Sequence, residues 1–300
     1  MNKKMLFILN PASGKGNIKN SFLEIVDLFV SNKWDVQTRT TQCHDDAYEY
    51  VRKYGKDFEM VVVAGGDGTL SETIRGLMEL KRKSRPRLGY IPAGSTNDFA
   101  SNMKISKDML EAAKGVVEGR PFKCDIGTFN GKSFIYVAAF GAFTDVSYDT
   151  SQQMKNMLGH SAYIIEGAKR LPKLKTYKMK VTYDGGVYED EFLYGSVSNT
   201  NYIAGMKAEK AFEAQFNDGL LEVVLVKKPQ NVLQFQQLLL KLVARNLDYE
   251  LFVTFKTDKV VFEAEEKVSW TLDGEFGGSV KKAQMIDEKE AITLFLDENN

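Results

Sequence analysis

Cysteine and histidine are scarce in this chain. Its 300 residues include only Cys43 and Cys124, and only His44 and His160. Two cysteines so far apart in sequence suggest no disulfide framework. With two histidines they also leave too few ligands for a zinc site. The adjacent pair Cys43-His44 suits neither a catalytic pair nor tetrahedral ligation. An excess of either charge is missing too: 40 basic residues cancel 40 acidic ones. That excludes the basic footprint of a dedicated nucleic-acid binder, although a local patch stays open. No run approaches the roughly 18 apolar residues of a membrane-crossing helix. The apolar stretch Met5–Leu9 stops at Asn10 with no small-residue cleavage site after it, so it reads as a first strand rather than a signal peptide. There is no internal repeat and no low-complexity linker. These absences predict a cytoplasmic protein with at most peripheral membrane contact.

What is present points to two domains, since the length exceeds the usual size of one hydrophobic core. A hydrophobic fraction of 43% and a charged fraction of 27% are ordinary for a globular chain. The first part alternates strands (Lys4–Leu9, Asp35–Thr40, Met60–Val63, Arg87–Ile91) with helices (Ile18–Asn32, Asp46–Tyr54, Leu70–Leu80, Lys107–Glu118). In the first helix Phe22, Leu23, Ile25, Val26, Phe29 and Val30 fall largely on one face. This alternation predicts a doubly wound α/β domain over residues 1–125, with ligands at the carboxyl ends of its strands. After about Asp125 the texture changes to short alternating runs: Ser133–Ala139, Lys178–Tyr183, Glu191–Asn199, Leu221–Val226, Tyr249–Phe255, Lys259–Glu263, Val268–Leu272 and Ala291–Leu296. They predict an antiparallel β-sandwich-like or barrel domain over 126–289, with helices at Ser151–Leu171 and Asn231–Asn246. The tail at about 290–300 is expected to return to the first domain.

Three loops follow strand ends in the first half. Gly65-Gly66-Asp67-Gly68-Thr69 lies between a buried strand and a helix. Its glycines let backbone N–H groups approach a ligand, and the helix start favours negative charge. A carboxylate beside phosphate needs a magnesium ion or a proton to accept, so Asp67 suggests a phosphate ester with its metal. A tight turn with a capping Asp is the plainer alternative. Asn10-Pro11-Ala12-Ser13-Gly14-Lys15-Gly16 offers a tight turn with a hydroxyl and an ammonium, but it lacks the spacing of a Walker A loop. Pro92-Ala93-Gly94-Ser95-Thr96-Asn97-Asp98-Phe99 offers hydroxyls, an amide and a carboxylate, for a nucleotide or for capping the next helix.

Together these loops resemble the catalytic domain of the diacylglycerol kinase and lipid kinase family. The family pattern is Asn-Pro-x-Ser-Gly, then Gly-Gly-Asp-Gly-Thr, then Pro-x-Gly-Thr-x-Asn-Asp-Phe. The chain matches all three in order, with Ser95 where Thr is usual. The resemblance continues at Asp218-Gly219-Leu220 and at Leu272-Asp273-Gly274-Glu275, and it is to the soluble bacterial branch. It implies that ATP lies between the domains, on Asn10, Pro11, Ala12, Ser13 and Gly14 and on Gly65, Gly66, Asp67, Gly68, Thr69, Leu70 and Ser71. Thr41, Ser95 and Asn97 are further expected contacts. The resemblance further implies magnesium and water near the phosphates at Asp67, Asp98 and Asp125. A second, structural magnesium is implied at Asp218, with carbonyls of Gln215 and Leu220. Read by itself, Asn217-Asp218-Gly219 is only a turn before a strand.

The resemblance makes Asp273-Gly274-Glu275 the acidic loop over the acceptor hydroxyl. An alcohol is a poor nucleophile, so a carboxylate should take its proton during attack. Glu275 is assigned that role, with Asp273 a close rival and Asp67 a third candidate. The expected reaction is phosphorylation of a lipid hydroxyl by ATP with magnesium, diacylglycerol to phosphatidic acid first among the options. The alternatives are an NAD kinase, which shares the Gly-Gly-Asp-Gly-Thr loop, and a catalytically silent nucleotide- or lipid-binding regulator. Lysines and arginine over Ala168–Lys180 can meet an anionic membrane surface or only blunt a strand edge. Exposed sheet edges leave a homodimer open.

Overall fold

The computed structural model describes residues 3–16, 18–142, 175–199, 202–203, 206–207, 216–244 and 246–297. It divides into two compact units, Met1–Asp125 with Glu290–Asn300, and Ile126–Lys289. The expected helix at Ser151–Leu171 lies outside the described residues.

The first unit is built on four parallel strands, β1 (Lys3–Leu9), β2 (Trp34–Thr40), β3 (Met60–Gly65) and β4 (Arg87–Pro92), in the order β2-β1-β3-β4. Every residue of β3 is buried, as a strand covered on both faces requires. Helices α1 (Ile18–Ser31), α2 (Asp46–Tyr54), α3 (Asp67–Glu79), α4 (Asp98–Asn102) and α5 (Met109–Glu118) accompany it. Ile18, Ile25 and Phe29 of α1 are buried, and Phe29 meets Phe7 of β1 edge-on at 5.5 Å between centroids. Leu23 and Val30 fall off that face and are exposed. Helix α3 begins at Asp67, three residues before the expected Leu70, because Gly66 serves as its N-cap. The Gly-Gly-Asp-Gly-Thr segment is therefore a strand end joined directly to a helix start.

The second unit begins within β5 (Arg120–Phe129) and is mainly antiparallel. The expected strand Ser133–Ala139 is divided into β6 (Lys132–Phe134) and β7 (Val137–Gly141). The cause is Asp273, whose carboxylate accepts from the N–H groups of Ile135, Tyr136 and Val137 at 2.8, 2.8 and 3.1 Å. Three successive amides committed to one side chain cannot also serve a ladder. The chain continues with β8 (Tyr177–Tyr183), β9 (Gly186–Ser198), the short β10 (Tyr202–Ile203) and β11 (Met206–Lys207), and β12 (Leu221–Lys227). Helix α6 (Val232–Val243) and β13 (Phe252–Thr257) follow, then β14 (Lys259–Leu272) and β15 (Glu275–Leu296). β14 is one irregular strand where two runs were expected. β15 is far longer than the expected Ala291–Leu296, since its first half is charged and only partly buried.

The path β9-β7-β14-β8 returns to β9, so the sheet curls around a core. Trp270 lies at its centre, with Phe140, Phe262 and Phe129 at 4.8, 5.2 and 5.3 Å between centroids. On the other face of β9 and β12, α6 lays Phe235, Leu238 and Leu239 over Val224 and Val226. The end of β15 belongs to the first unit, where Leu294 pairs in parallel with Leu88 of β4. Arg85 secures it by donating to the Ala291 carbonyl at 2.7 Å.

Candidate active site

In the first unit the three loops lock onto one another at the carboxyl ends of the strands. Asn10 Nδ2 donates to Thr69 Oγ1 at 2.9 Å, and the Gly66 N–H donates to Ser13 Oγ at 3.3 Å. The Ala12 N–H folds back onto Asn10 Oδ1 at 3.0 Å, which tightens the first loop. A side chain at Gly14 is impossible there: φ is +49° and a Cβ would stand 2.1 Å from the Ala93 carbonyl oxygen. Gly94 in turn approaches Gly66 so closely that a Cβ would lie 2.5 Å from the Gly66 Cα. Gly68 is the opposite case. It is exposed, in the first turn of α3, and an added Cβ would meet nothing within 4 Å. Helix-start N–H groups have no intrahelical partner, so this open turn suits an anion.

Asp67 shapes the third loop. Its Oδ2 accepts from the Asp98 N–H at 3.0 Å and its Oδ1 from the Phe99 N–H at 3.2 Å, so it caps α4 from another element. Asn97 does not cap that helix. It adopts φ +54° and closes its own loop, accepting from the Gly94 N–H at 3.0 Å and donating to the Gly94 carbonyl at 2.8 Å. The buried Tyr90 hydroxyl, which the sequence did not flag, donates to the Gly65 carbonyl at 3.2 Å. Thr41 is buried at the end of β2, with its N–H on the Leu9 carbonyl at 2.8 Å. Ser95 is exposed at the tip, Pro11 is half-buried and Ala12 is exposed. Ser71 is half-buried, whereas the Leu70 side chain lies in the core and only its backbone could face a ligand.

Burial, and secondarily the Asp67 charge, push the Asp98 carboxyl above its ordinary value. Asp125 is buried in β5, where its Oδ1 accepts from the Glu290 N–H at 2.5 Å. Among the described residues one trio of His, Cys, Asp or Glu side chains brings ligand atoms within 4.8 Å of one another, His44, Asp45 and Glu72. Arg75 pairs with that Asp45 at 2.9 Å and the Ala47 N–H occupies Glu72 at 3.2 Å, so it is an ion-pair network. Asp67, Asp98 and Asp125 do not form such a trio, and a shared ion would reach some of them through water.

In the second unit, Asp273 and Gly274 have φ of +50° and +89° and form a two-residue turn between β14 and β15, with Leu272 paired to Glu275. Asp273 grips the start of β7 through three amides, while Glu275 is exposed at the first position of β15. Asp218 sits in the expected turn before β12. Its Oδ1 accepts from the Leu220 N–H at 3.0 Å, and its Oδ2 lies 3.1 Å from Lys256 Nζ. Lys256 therefore supplies a positive charge at this turn. Gln215 lies outside the described residues. Lys256 also stands 3.2 Å from Glu222, whose burial drives its carboxyl up to about 7. Glu222 carried no signal in the sequence, because it sits inside an apolar strand.

The basic stretch is partly described. Lys178 is registered opposite Glu191, and Lys180 lies between Glu189 and Glu263. These lysines are therefore matched by acids across the sheet. Lys169, Arg170, Leu171, Lys173 and Leu174 lie outside the described residues. No helix among the described residues is long and apolar enough to cross a membrane.

Interlocked glycine loops at the carboxyl ends of a parallel sheet, joined in sequence to a curled antiparallel unit, are the organisation of a two-domain kinase. Comparison with known proteins narrows that class. Residues 4–129 match the diacylglycerol kinase catalytic domain, and residues 138–294 match the YegS C-terminal NAD kinase beta sandwich-like domain. A diacylglycerol kinase of Bacillus subtilis (strain 168) is 33% identical over 279 residues, covering 92% of this chain and 91% of the relative. One from Staphylococcus carnosus (strain TM300) is 32% identical over 296 residues, covering 98% and 95%. A solved Bacillus anthracis structure, described as a diacylglycerol kinase, has the same fold at TM-score 0.74 and 24% identity, covering 98% of this chain and 97% of that one. A second structure from that organism reaches TM-score 0.80 at 26% identity, covering 99% of both chains. The chain belongs to the diacylglycerol kinase family.

Proposed function

We propose that this protein transfers the terminal phosphoryl group of ATP to the hydroxyl of a neutral glycerolipid, with diacylglycerol as the acceptor and phosphatidic acid as the product. The observation that carries the phosphoryl-transfer part is the exposed Gly68 turn at the start of α3, held open by the Gly14–Ala93 and Gly66–Gly94 approaches. The lipid acceptor rests on the relatives named above.

The first loop and the Gly65–Ser71 segment hold the phosphates, with backbone N–H groups supplying most of the contacts. Thr41, Ser95 and Asn97 border the nucleotide. Asp67 and Asp98 would hold magnesium, directly or through water, and the ion would supply charge neutralisation at the phosphates. The acceptor oxygen bonds to the terminal phosphorus, ADP departs and the acceptor proton passes to Glu275. Asp273 is less suited to that task, since its carboxylate already accepts three backbone N–H groups. Most of the rate enhancement comes from positioning and charge stabilisation.

The test is transfer of labelled terminal phosphate from magnesium ATP to diacylglycerol, phosphatidylglycerol, ceramide and a sphingoid base in mixed micelles, with NAD as a separate acceptor. Labelled phosphatidic acid is expected. Another labelled lipid would change the acceptor and keep the mechanism. Labelled NADP would replace the lipid reading, and binding of ATP with no product from any acceptor would favour a silent regulator.

A further inference from the structure

We propose that the face of β9 and β12 around Ser196 and Glu222 is the subsite for the polar part of the acceptor, the ester and hydroxyl oxygens of a glycerolipid. The proposal rests on the lipid-kinase reading above.

Register puts these side chains on one face. Glu222 is opposite Ser198, and Val224 is opposite Ser196. The alternate residues Val197, Leu221, Val223 and Leu225 point into the aromatic core instead. On the Ser196 face, Val224 and Val226 are covered by α6, so the same surface passes from apolar to polar along two strands. An amphiphile needs such a boundary. The polar row leads to the acidic turn: Ser198 pairs with Val137 of β7, and the Val137 carbonyl accepts from the Asp273 N–H at 2.9 Å. At about 4.8 Å per strand, Ser198 is about 10 Å from Asp273, comparable to a glycerol backbone with its ester groups.

The polar groups are buried and incompletely satisfied. Ser196 and Glu222 are each 1% exposed. Among the described residues, Ser196 Oγ and Glu222 Oε2 have no side-chain hydrogen-bond partner. Lys256 lies 3.2 Å from Glu222 Oε1 as a charge partner, and Oε2 has no such neighbour. Buried polar groups are otherwise almost always satisfied. Ser196 is also an unusual choice in a central strand whose neighbours are apolar. A serine hydroxyl can donate to an ester carbonyl or accept from a hydroxyl, and a carboxyl group can do either according to its protonation. The matching ligand is therefore rich in neutral oxygens, as a glycerolipid is.

The test compares full-length Ser196→Ala, Glu222→Met and Glu222→Gln with the wild type, using dioctanoylglycerol in mixed micelles and magnesium ATP. Ser196→Ala and Glu222→Met should raise the KM for dioctanoylglycerol at least tenfold and leave the KM for ATP within twofold. Ser196→Ala should not lower the thermal midpoint, since it removes a buried hydroxyl that lacks a hydrogen bond, and Glu222→Met leaves Lys256 its pairing with Asp218. Glu222→Gln keeps a donor and an acceptor and should return the lipid KM to within threefold of wild type. An unchanged lipid KM in folded Ser196→Ala and Glu222→Met, beside an active wild type, overturns the subsite alone. A wild type that phosphorylates no glycerolipid overturns the lipid-kinase reading and the subsite together. If Glu222→Met does not fold, Ser196→Ala decides.

Discussion

Replacing Gly68 by Ala separates a phosphate-binding turn from a merely structural one. Gly68 is exposed in the first turn of α3, its φ is not in the left-handed region, and no heavy atom lies within 4 Å of a new Cβ. Without ligand the methyl group therefore touches nothing and helix propensity dominates. Alanine is better than glycine by about 1 kcal/mol inside a helix, so about 0.5–1 kcal/mol is expected in a first turn. That raises the thermal midpoint by about 1–4 °C. With ATP the methyl group occupies the space over the open turn, and a tenfold loss of affinity costs about 1.4 kcal/mol. At a nucleotide concentration 100 times the wild-type Kd, the wild type gains about 2.7 kcal/mol of stability and the variant about 1.4. The order of stability should then reverse: variant above wild type without nucleotide, at or below it with magnesium ATP. Thermal unfolding with and without magnesium ATP, backed by calorimetric titration, reads both halves. A variant that binds ATP as tightly as wild type would refute a phosphate over this turn. A variant destabilised without ligand would refute the local geometry. Gly94→Ala is the control, since its Cβ would lie 2.5 Å from a backbone carbon and 2.7 Å from Asn97 Oδ1. It should lose stability and nucleotide binding together.

The acidic turn offers a second contrast: Glu275→Gln should abolish transfer at unchanged stability and ATP affinity, while Asp273→Ala, which strands three amides, should cost about 1–3 kcal/mol in denaturant unfolding. The opposite pattern would exchange their roles. Asp67→Asn should raise the magnesium concentration for half-maximal rate at least tenfold, and an unchanged requirement in steady-state kinetics would remove Asp67 from the metal site. Glu222 has its carboxyl raised from 4.5 to about 7, so the folded state holds a proton that the unfolded state has released between those values. Stability should therefore fall as pH rises from about 4.5 through about 7, by about 3 kcal/mol at most. Glu222→Gln should flatten that slope in denaturant titrations without added divalent cation, and a slope that persists unchanged would assign it to other groups.

Sequence pattern reached the first unit further than the second, for a physical reason. Continuous apolar strands such as Met60–Ala64, followed by glycine turns and amphipathic helices, make each β–α step a local signal, so the expected strands of β1 to β4 lie within a residue or two of the observed ones. The second unit depends on pairings between residues far apart. Nothing within Ser133–Ala139 announces a break, because the group that causes it, Asp273, arrives about 140 residues later. The length of β15 was hidden in the same way, since its charged first half alternates weakly and is held by β14. At the candidate site the motif residues were legible as an ordered set of loops, but not the division of labour among them. Asp67 read as a phosphate-side carboxylate, and only the structure adds that it caps α4 through Asp98 and Phe99. Ser196 and Glu222 gave no signal, because a lone polar residue in a strand acquires meaning only from what lies beside it across the sheet. The unpartnered Ser196 hydroxyl and the half-satisfied Glu222 carboxylate are properties of the folded unit, created when β9 and β12 pair and bury both side chains.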